Sequence, residues 1–227
     1  MEKSRKSKIF SPLPPENTFS VPNVITIIRF IGSLVFFMLA IVKMDLTYNF
    51  IGLVIHWIGD IVDGNWARFF KQETIVGAEI DIIADRVGFL FFYVLYLVFK
   101  PELALPVALF VINFAFIDFY LSYQFLKFGL ISINYFYKVD RTVYRLNFSF
   151  LGKAANTVVV TLTLIFFPQF WVFAAVFAVG LIVIKCYSIR RLYMLEPYKR
   201  RKPEEISSQV FLTRDNTIRE FEGQKEV

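Results

Sequence analysis

The sequence predicts an all-α integral membrane protein with six transmembrane helices. Residues classed as hydrophobic make up 56% of its 227 positions and aromatics 19%, and the mean hydropathy is +0.54, above what a water-soluble domain carries. The apolar residues fall in runs of roughly the length that crosses about 30 Å of hydrocarbon as helix. The basic residues gather at the two ends of the chain and in alternate connections.

Taken in order, the expected spans cover about 24–42, 48–63, 80–99, 103–126, 154–167 and 170–188. The first follows about twenty polar, Pro-containing residues with no small-residue cleavage site after the run, so it reads as a retained span and not a signal peptide. Phe167-Pro168-Gln169 separates the fifth from the sixth. A single long kinked span is the competing reading there.

A cytoplasmic N-terminus places Lys43 and Lys100 outside. It places Arg68, Lys71, Lys127, Lys138, Arg141, Arg145 and Lys153 inside, and an even number of spans returns the C-terminus to the cytoplasm. The expected organisation is a basic N-terminal segment at 1–20, one membrane domain at 21–192 and a polar cytoplasmic tail at 193–227. The net charge of +6 is assigned to anionic lipid headgroups, not to nucleic acid.

Several function classes drop away. His56 is the only histidine and Cys186 the only cysteine, so a disulfide scaffold and a Cys/His metal site are excluded. No Gly-x-Ser-x-Gly elbow or Gly-rich phosphate loop is present.

What remains is acidic. The second span ends with Asp60 and Asp63, and the third opens with Asp81 and Asp85. Spacings of three and four put each pair on one face of its helix, and a short loop lets both pairs meet. A charge at bilayer depth costs roughly 3 kcal/mol on insertion scales, and like charges add repulsion. The natural offset is a divalent cation or two. Oxygen-only ligands suit Mg²⁺ or Mn²⁺, and such ions suit a diphosphate substrate. Gly64 and Ala67 keep the same helix face free of bulk, and Arg68 is placed to meet a phosphate. Interfacial Asp–Arg pairing without further role is the alternative.

The series Asp60-x2-Asp63-Gly64-x2-Ala67-Arg68-x8-Gly77-x3-Asp81-x3-Asp85 resembles, at every fixed position, the signature of the CDP-alcohol phosphatidyltransferase family. The resemblance is strongest over 22–86. It implies a six-helix membrane fold with a cytoplasm-facing polar cavity, a homodimer, and transfer of a phosphatidyl group from CDP-diacylglycerol to an alcohol with release of CMP. It also implies Asp60, Asp63, Asp81 and Asp85 as ligands of two Mg²⁺ or Mn²⁺ ions, Asp85 as the general base, and Gly64, Ala67 and Arg68 as CDP contacts.

Pro22-Asn23-x2-Thr26-x2-Arg29 resembles the phosphatidylglycerophosphate and cardiolipin synthase branch. Asn23, Thr26 and Arg29 share one broad helix face that can line the nucleotide end of the cavity. Arg86 after the last aspartate resembles the inositol-transferring members instead, and the family's Gly-Lys-x-x-Thr run stands here as Gly152-Lys153-Ala154-Ala155-Asn156-Thr157, one place out of register. Candidate acceptor contacts are Arg141, Arg145, Lys153 and Arg190, a set suited to a phosphorylated polyol.

Glycerol 3-phosphate is the favoured acceptor, with inositol or its phosphate second. A CDP-choline or CDP-ethanolamine phosphotransferase and a non-enzymatic cation transporter are further alternatives. Asp118 is a second intramembrane acid, placed either to pair with a cation of the cavity or to sit at a dimer contact.

Overall fold

The computed structural model describes residues 19–195. Among the described residues every regular element is helical. The basic segment 1–20, except its last two residues, and the tail beyond Leu195 lie outside the described part. The chain divides into two units, Met1–Ile189 and Arg190–Val227.

Helix α1 spans Val21–Lys43. Ser20 caps it by accepting from the Asn23 amide at 3.5 Å, and Pro22 sits in the first turn, where its missing N–H costs nothing. Its buried stripe runs Asn23, Thr26, Arg29, Ser33, Phe37, Ala40, polar at the start and apolar toward the end. That gradient divides the bundle into a polar end and an aromatic core.

Helix α2 spans Leu46–Phe69, capped by Asp45. Helix α3 spans Ile75–Phe99, with the Thr74 hydroxyl accepting from the Gly77 amide at 2.9 Å. Glycines let these helices close up. A Cβ on Gly52 would stand 2.5 Å from the Phe37 ring, and one on Gly88 2.5 Å from His56 Cε1. Asn49 ties α2 to α3 by donating to the Phe92 carbonyl at 3.1 Å.

Helix α4 spans Pro101–Lys127 and contains a π-helical stretch, Ile112–Asp118. A 3₁₀ turn at Ile133–Lys138 precedes α5, Arg141–Phe148, and α6, Phe150–Phe166, which meet at a 41° bend at Ser149. The bend has a local cause: Ser149 is extended (φ −66°, ψ 164°) and caps α6 by accepting from the Gly152 amide. Helix α7, Pro168–Tyr193, follows the expected Phe167-Pro168 break, so the fifth and sixth expected runs are two helices, not one kinked helix.

The core is aromatic: Phe37, Phe89, Phe92, Tyr93, Tyr96, Phe110 and Phe114 pack with Leu53, Val160 and Leu164. Buried Tyr93 and Tyr96 satisfy their hydroxyls on Thr161 Oγ1 and the Leu164 carbonyl, each at 2.8 Å, which joins α3 to α6. The outer surface is apolar, with Ile28, Val42, Phe150, Val176 and Val183 all more than half exposed, as lipid contact requires.

All six expected spans fall on helix, the fifth running one residue past its end. By length and composition, however, four described helices are long and apolar enough to cross a bilayer, α1, α3, α4 and α7, and the bent α5–α6 pair makes a fifth. Helix α2 is long enough at 24 residues but falls short because its second half carries His56, Asp60, Asp63 and Arg68. The multi-pass character stands; the count from apolarity is four to five.

Gly52→Ala is expected to cost about 1–3 kcal/mol, because the new methyl meets an aromatic ring inside a packed helix pair. Gly180→Ala, where a Cβ meets nothing within 4 Å, serves as the neutral control. Thermal unfolding in detergent reads both, and equal shifts would contradict the close α1–α2 packing.

Candidate functional site

Helices α2 and α3 bring the two acidic pairs together. One carboxylate oxygen from each of Asp60, Asp63 and Asp81 lies within 4.8 Å of the other two. Exposure is graded: the side chains of Asp60 and Asp81 are 43% and 39% exposed, whereas that of Asp63 is 3% exposed.

The arrangement is organised by a residue on a third helix. Arg29 of α1, buried beneath the cluster, donates from Nε to Asp63 Oδ2 at 2.8 Å, from Nη2 to Asp81 Oδ1 at 2.6 Å, and from both Nη1 and Nη2 to Asp85 Oδ1 at 3.1 Å. Its Nη2 stands 3.6 Å from Asp60 Oδ1. Thr26 donates its hydroxyl to the same Asp63 oxygen at 2.6 Å. Gly59 makes room for this: a Cβ there would collide with the Arg29 stem.

Asp85 stands outside the three-carboxylate group. Besides Arg29 it has His56 Nε2 at 3.4 Å, and the His56 ring rests edge-on against Phe89. His56 is thus a packed residue that also faces the cluster.

Four carboxylates around one guanidinium leave a surplus of negative charge, partly buried, which favours a cationic ligand. The donor set is all oxygen, and the three carboxylate oxygens lie close enough together to share one ion, so these residues fit a hard divalent ion.

The other expected contacts are placed as follows. Arg68 is exposed, hydrogen-bonded to Asn65 Oδ1 at 3.0 Å, with its guanidinium folded over Gly64. Ala67 is half-buried on the same helix. Buried Asn23 lies against Gly77, where a Cβ would stand 2.6 Å from Asn23 Oδ1.

A cavity of about 130 Å³ is lined by His56, Asp60, Asp81 and Asp85, and also by Arg86, Asp118, Asn147, Lys153 and Asn156. Of the four candidate acceptor contacts, Lys153 lines it, donating meanwhile to Asn134 Oδ1 at 2.7 Å. Arg141 and Arg145 are exposed and are not among its lining residues. Arg190 belongs to the second unit, in the last turn of α7.

Two features escaped sequence reasoning. Arg29 was expected at the nucleotide end, not amid the carboxylates; its place in a polar buried stripe with Thr26 was the available signal. The second is the identity of the partners of Asp118: pairing with a cation of the cavity was one of its two expected roles, and the structure pairs it with Arg86 and also with Lys185. A lone Lys inside the apolar run of α7 was its sign.

Arg29→Met is expected to cost roughly 3–5 kcal/mol in the presence of a chelator, since it strips the buried counter-charge from the carboxylates. Added Mg²⁺ should recover more of that loss in the variant than it adds to the wild type. Unfolding temperatures in detergent with and without Mg²⁺ test this, and a metal response no larger than wild type would contradict it.

Comparison with known proteins agrees with this geometry. The chain matches the family model described as CDP-alcohol phosphatidyltransferase over residues 19–186, which includes α1, all four aspartates and the cavity. Neither a curated protein nor a solved structure matches. The family uses a CDP-alcohol substrate and an alcohol acceptor in the membrane and generally depends on a divalent metal. That match, over most of the chain and joined to an acidic triad in a multi-pass helical bundle, identifies the chain as a member of the CDP-alcohol phosphatidyltransferase family and so as a transferase of phosphorus-containing groups.

Proposed function

We propose that the protein transfers a phosphatidyl group from CDP-diacylglycerol to a small polar alcohol at the cytoplasmic face of the membrane, releasing CMP, with glycerol 3-phosphate favoured over inositol. The observation that carries this is the convergence of Asp60, Asp63 and Asp81 beside Asp85, with Asp60, Asp81 and Asp85 lining one cavity.

In this reading Asp60, Asp63 and Asp81 hold Mg²⁺ or Mn²⁺. The bound metal supplies Lewis-acid neutralisation of the diphosphate. Arg68, Gly64 and Ala67 receive the CDP moiety on the exposed face of α2, with Asn23 and Thr26 at its nucleotide end. Asp85 takes the proton of the acceptor hydroxyl as that oxygen attacks the phosphorus and the bond to CMP breaks. Arg29 and His56 hold the Asp85 carboxylate in place, so it meets the acceptor in a fixed orientation.

The decisive assay combines purified protein in detergent, CDP-diacylglycerol, Mg²⁺ or Mn²⁺ and a panel of alcohols, with CMP release as the readout. Ion flux without any nucleotide dependence would favour a transporter instead. Asp85→Asn should lower turnover by roughly 10²–10⁴-fold while donor binding largely survives. Wild-type-like turnover from that variant would remove Asp85 from the base role. Asp60→Asn and Asp81→Asn should instead raise the Mg²⁺ concentration needed for half-maximal rate, and an unchanged metal requirement would argue against the ligand assignment.

A further inference from the structure

The cavity carries a second set of charges that the chemistry above does not use. Arg86 follows Asp85 on α3 but turns to a different neighbour. Its Nη2 donates to Asp118 Oδ2 and, at 3.1 Å, to Ser122 Oγ, and its guanidinium carbon lies 4.1 Å from the centre of the Phe114 ring. The other Asp118 oxygen accepts from Lys185, which is 1% exposed.

Asp118 is therefore shared by two cations, and Arg86 Nε is buried with no hydrogen-bond partner. Lys153 lines the same cavity and has the neutral Asn134 as its hydrogen-bond acceptor. Arg86 and the buried Lys185 against the single Asp118 carboxylate leave a positive charge behind the cavity wall formed by α3 and α4, and the exposed Lys153 adds a cation from α6. Buried surplus charge is costly until a counter-ion completes it. Asp60, Asp81 and Asp85 line the same cavity, but among the described residues the ion pair Arg86 makes is with Asp118. A phosphate monoester, anionic at neutral pH, matches these cations in sign and offers an acceptor oxygen to the unpartnered Arg86 Nε.

Building on the phosphatidyl-transfer reading, we propose that Arg86, fixed by Asp118 and Ser122 and assisted by Lys153, anchors a phosphate group on the acceptor. This anchor makes the enzyme selective for phosphorylated over neutral alcohols. Planar guanidinium N–H groups suit phosphate oxygens. Asp118 and Lys185 act through Arg86 as positioning residues: the carboxylate aims the guanidinium, and the buried ammonium keeps Asp118 from cancelling its charge.

The test compares kcat/KM for glycerol 3-phosphate with that for glycerol, and for inositol 1-phosphate with that for inositol, in wild type, Arg86→Met and Arg86→Lys. Loss of a charged hydrogen bond of about 1.5–3 kcal/mol lowers the phosphorylated-to-neutral ratio by roughly 10- to 100-fold in Arg86→Met, with Arg86→Lys between the two. A purely structural role lowers both acceptors together and leaves the ratio unchanged, which would overturn the proposal. Independently of any variant, inorganic sulfate should inhibit the wild type competitively against the phosphorylated acceptor and not against CDP-diacylglycerol. Sulfate that competes with the donor alone, or a wild type that prefers neutral alcohols, would likewise overturn it. Absence of CMP release with every acceptor would instead sink the parent reading.

Discussion

One guanidinium holds the site together. Four carboxylates converge where α2 and α3 meet, and without compensation their repulsion would drive those helix ends apart. Arg29 reaches them from α1, with side-chain exposure of 2%, and touches all four. Three helices are thereby committed to one geometry. The gradient of exposure follows, with Asp63 deepest and doubly bonded while Asp60 and Asp81 remain open to a ligand.

That geometry rests on packing at two depths. Gly59 admits the Arg29 stem, Gly88 admits His56, and Gly52 seats Phe37, so close approach recurs along α2 and α3. Below the polar end, the stacked aromatic core gives the bundle its rigidity, with Tyr93 and Tyr96 satisfied on α6. A site on helices backed in this way holds its carboxylates in place more tightly than a loop would.

The π-helical stretches contribute to the same end. Among the described residues there are three, Ile112–Asp118, Tyr144–Phe148 and Ala155–Val159; each carries a buried asparagine, Asn113, Asn147 and Asn156, and the first ends on Asp118. Asn113 donates to Asn156, and Asn147 donates to Ser188. Wider turns reposition polar side chains within otherwise apolar helices and are frequent near functional sites. The cavity thus has carboxylates from α2 and α3 suited to a cation, and cations from α3 and α6, Arg86 and Lys153, in the same lining.

Much of this was legible beforehand. Hydropathy runs located every long helix, because lipid contact demands continuous apolar stretches, and the Asp60, Asp63, Asp81, Asp85 register exposed the acidic site because helical periodicity maps spacing onto a face. The count from apolarity diverged at α2, where the functional acids themselves dilute the signal. Local sequence thus determined the helices, their capped starts at Ser20 and Thr74, and the class of metal-binding chemistry. Only the tertiary structure decided that Arg29 serves the carboxylates, that Asp118 is shared by Arg86 and Lys185, and that Lys153 faces the cavity while Arg141 and Arg145 do not line it. Those partnerships span tens of residues, and which charges meet depends on how helices rotate and pack, a property that no window of neighbouring residues encodes.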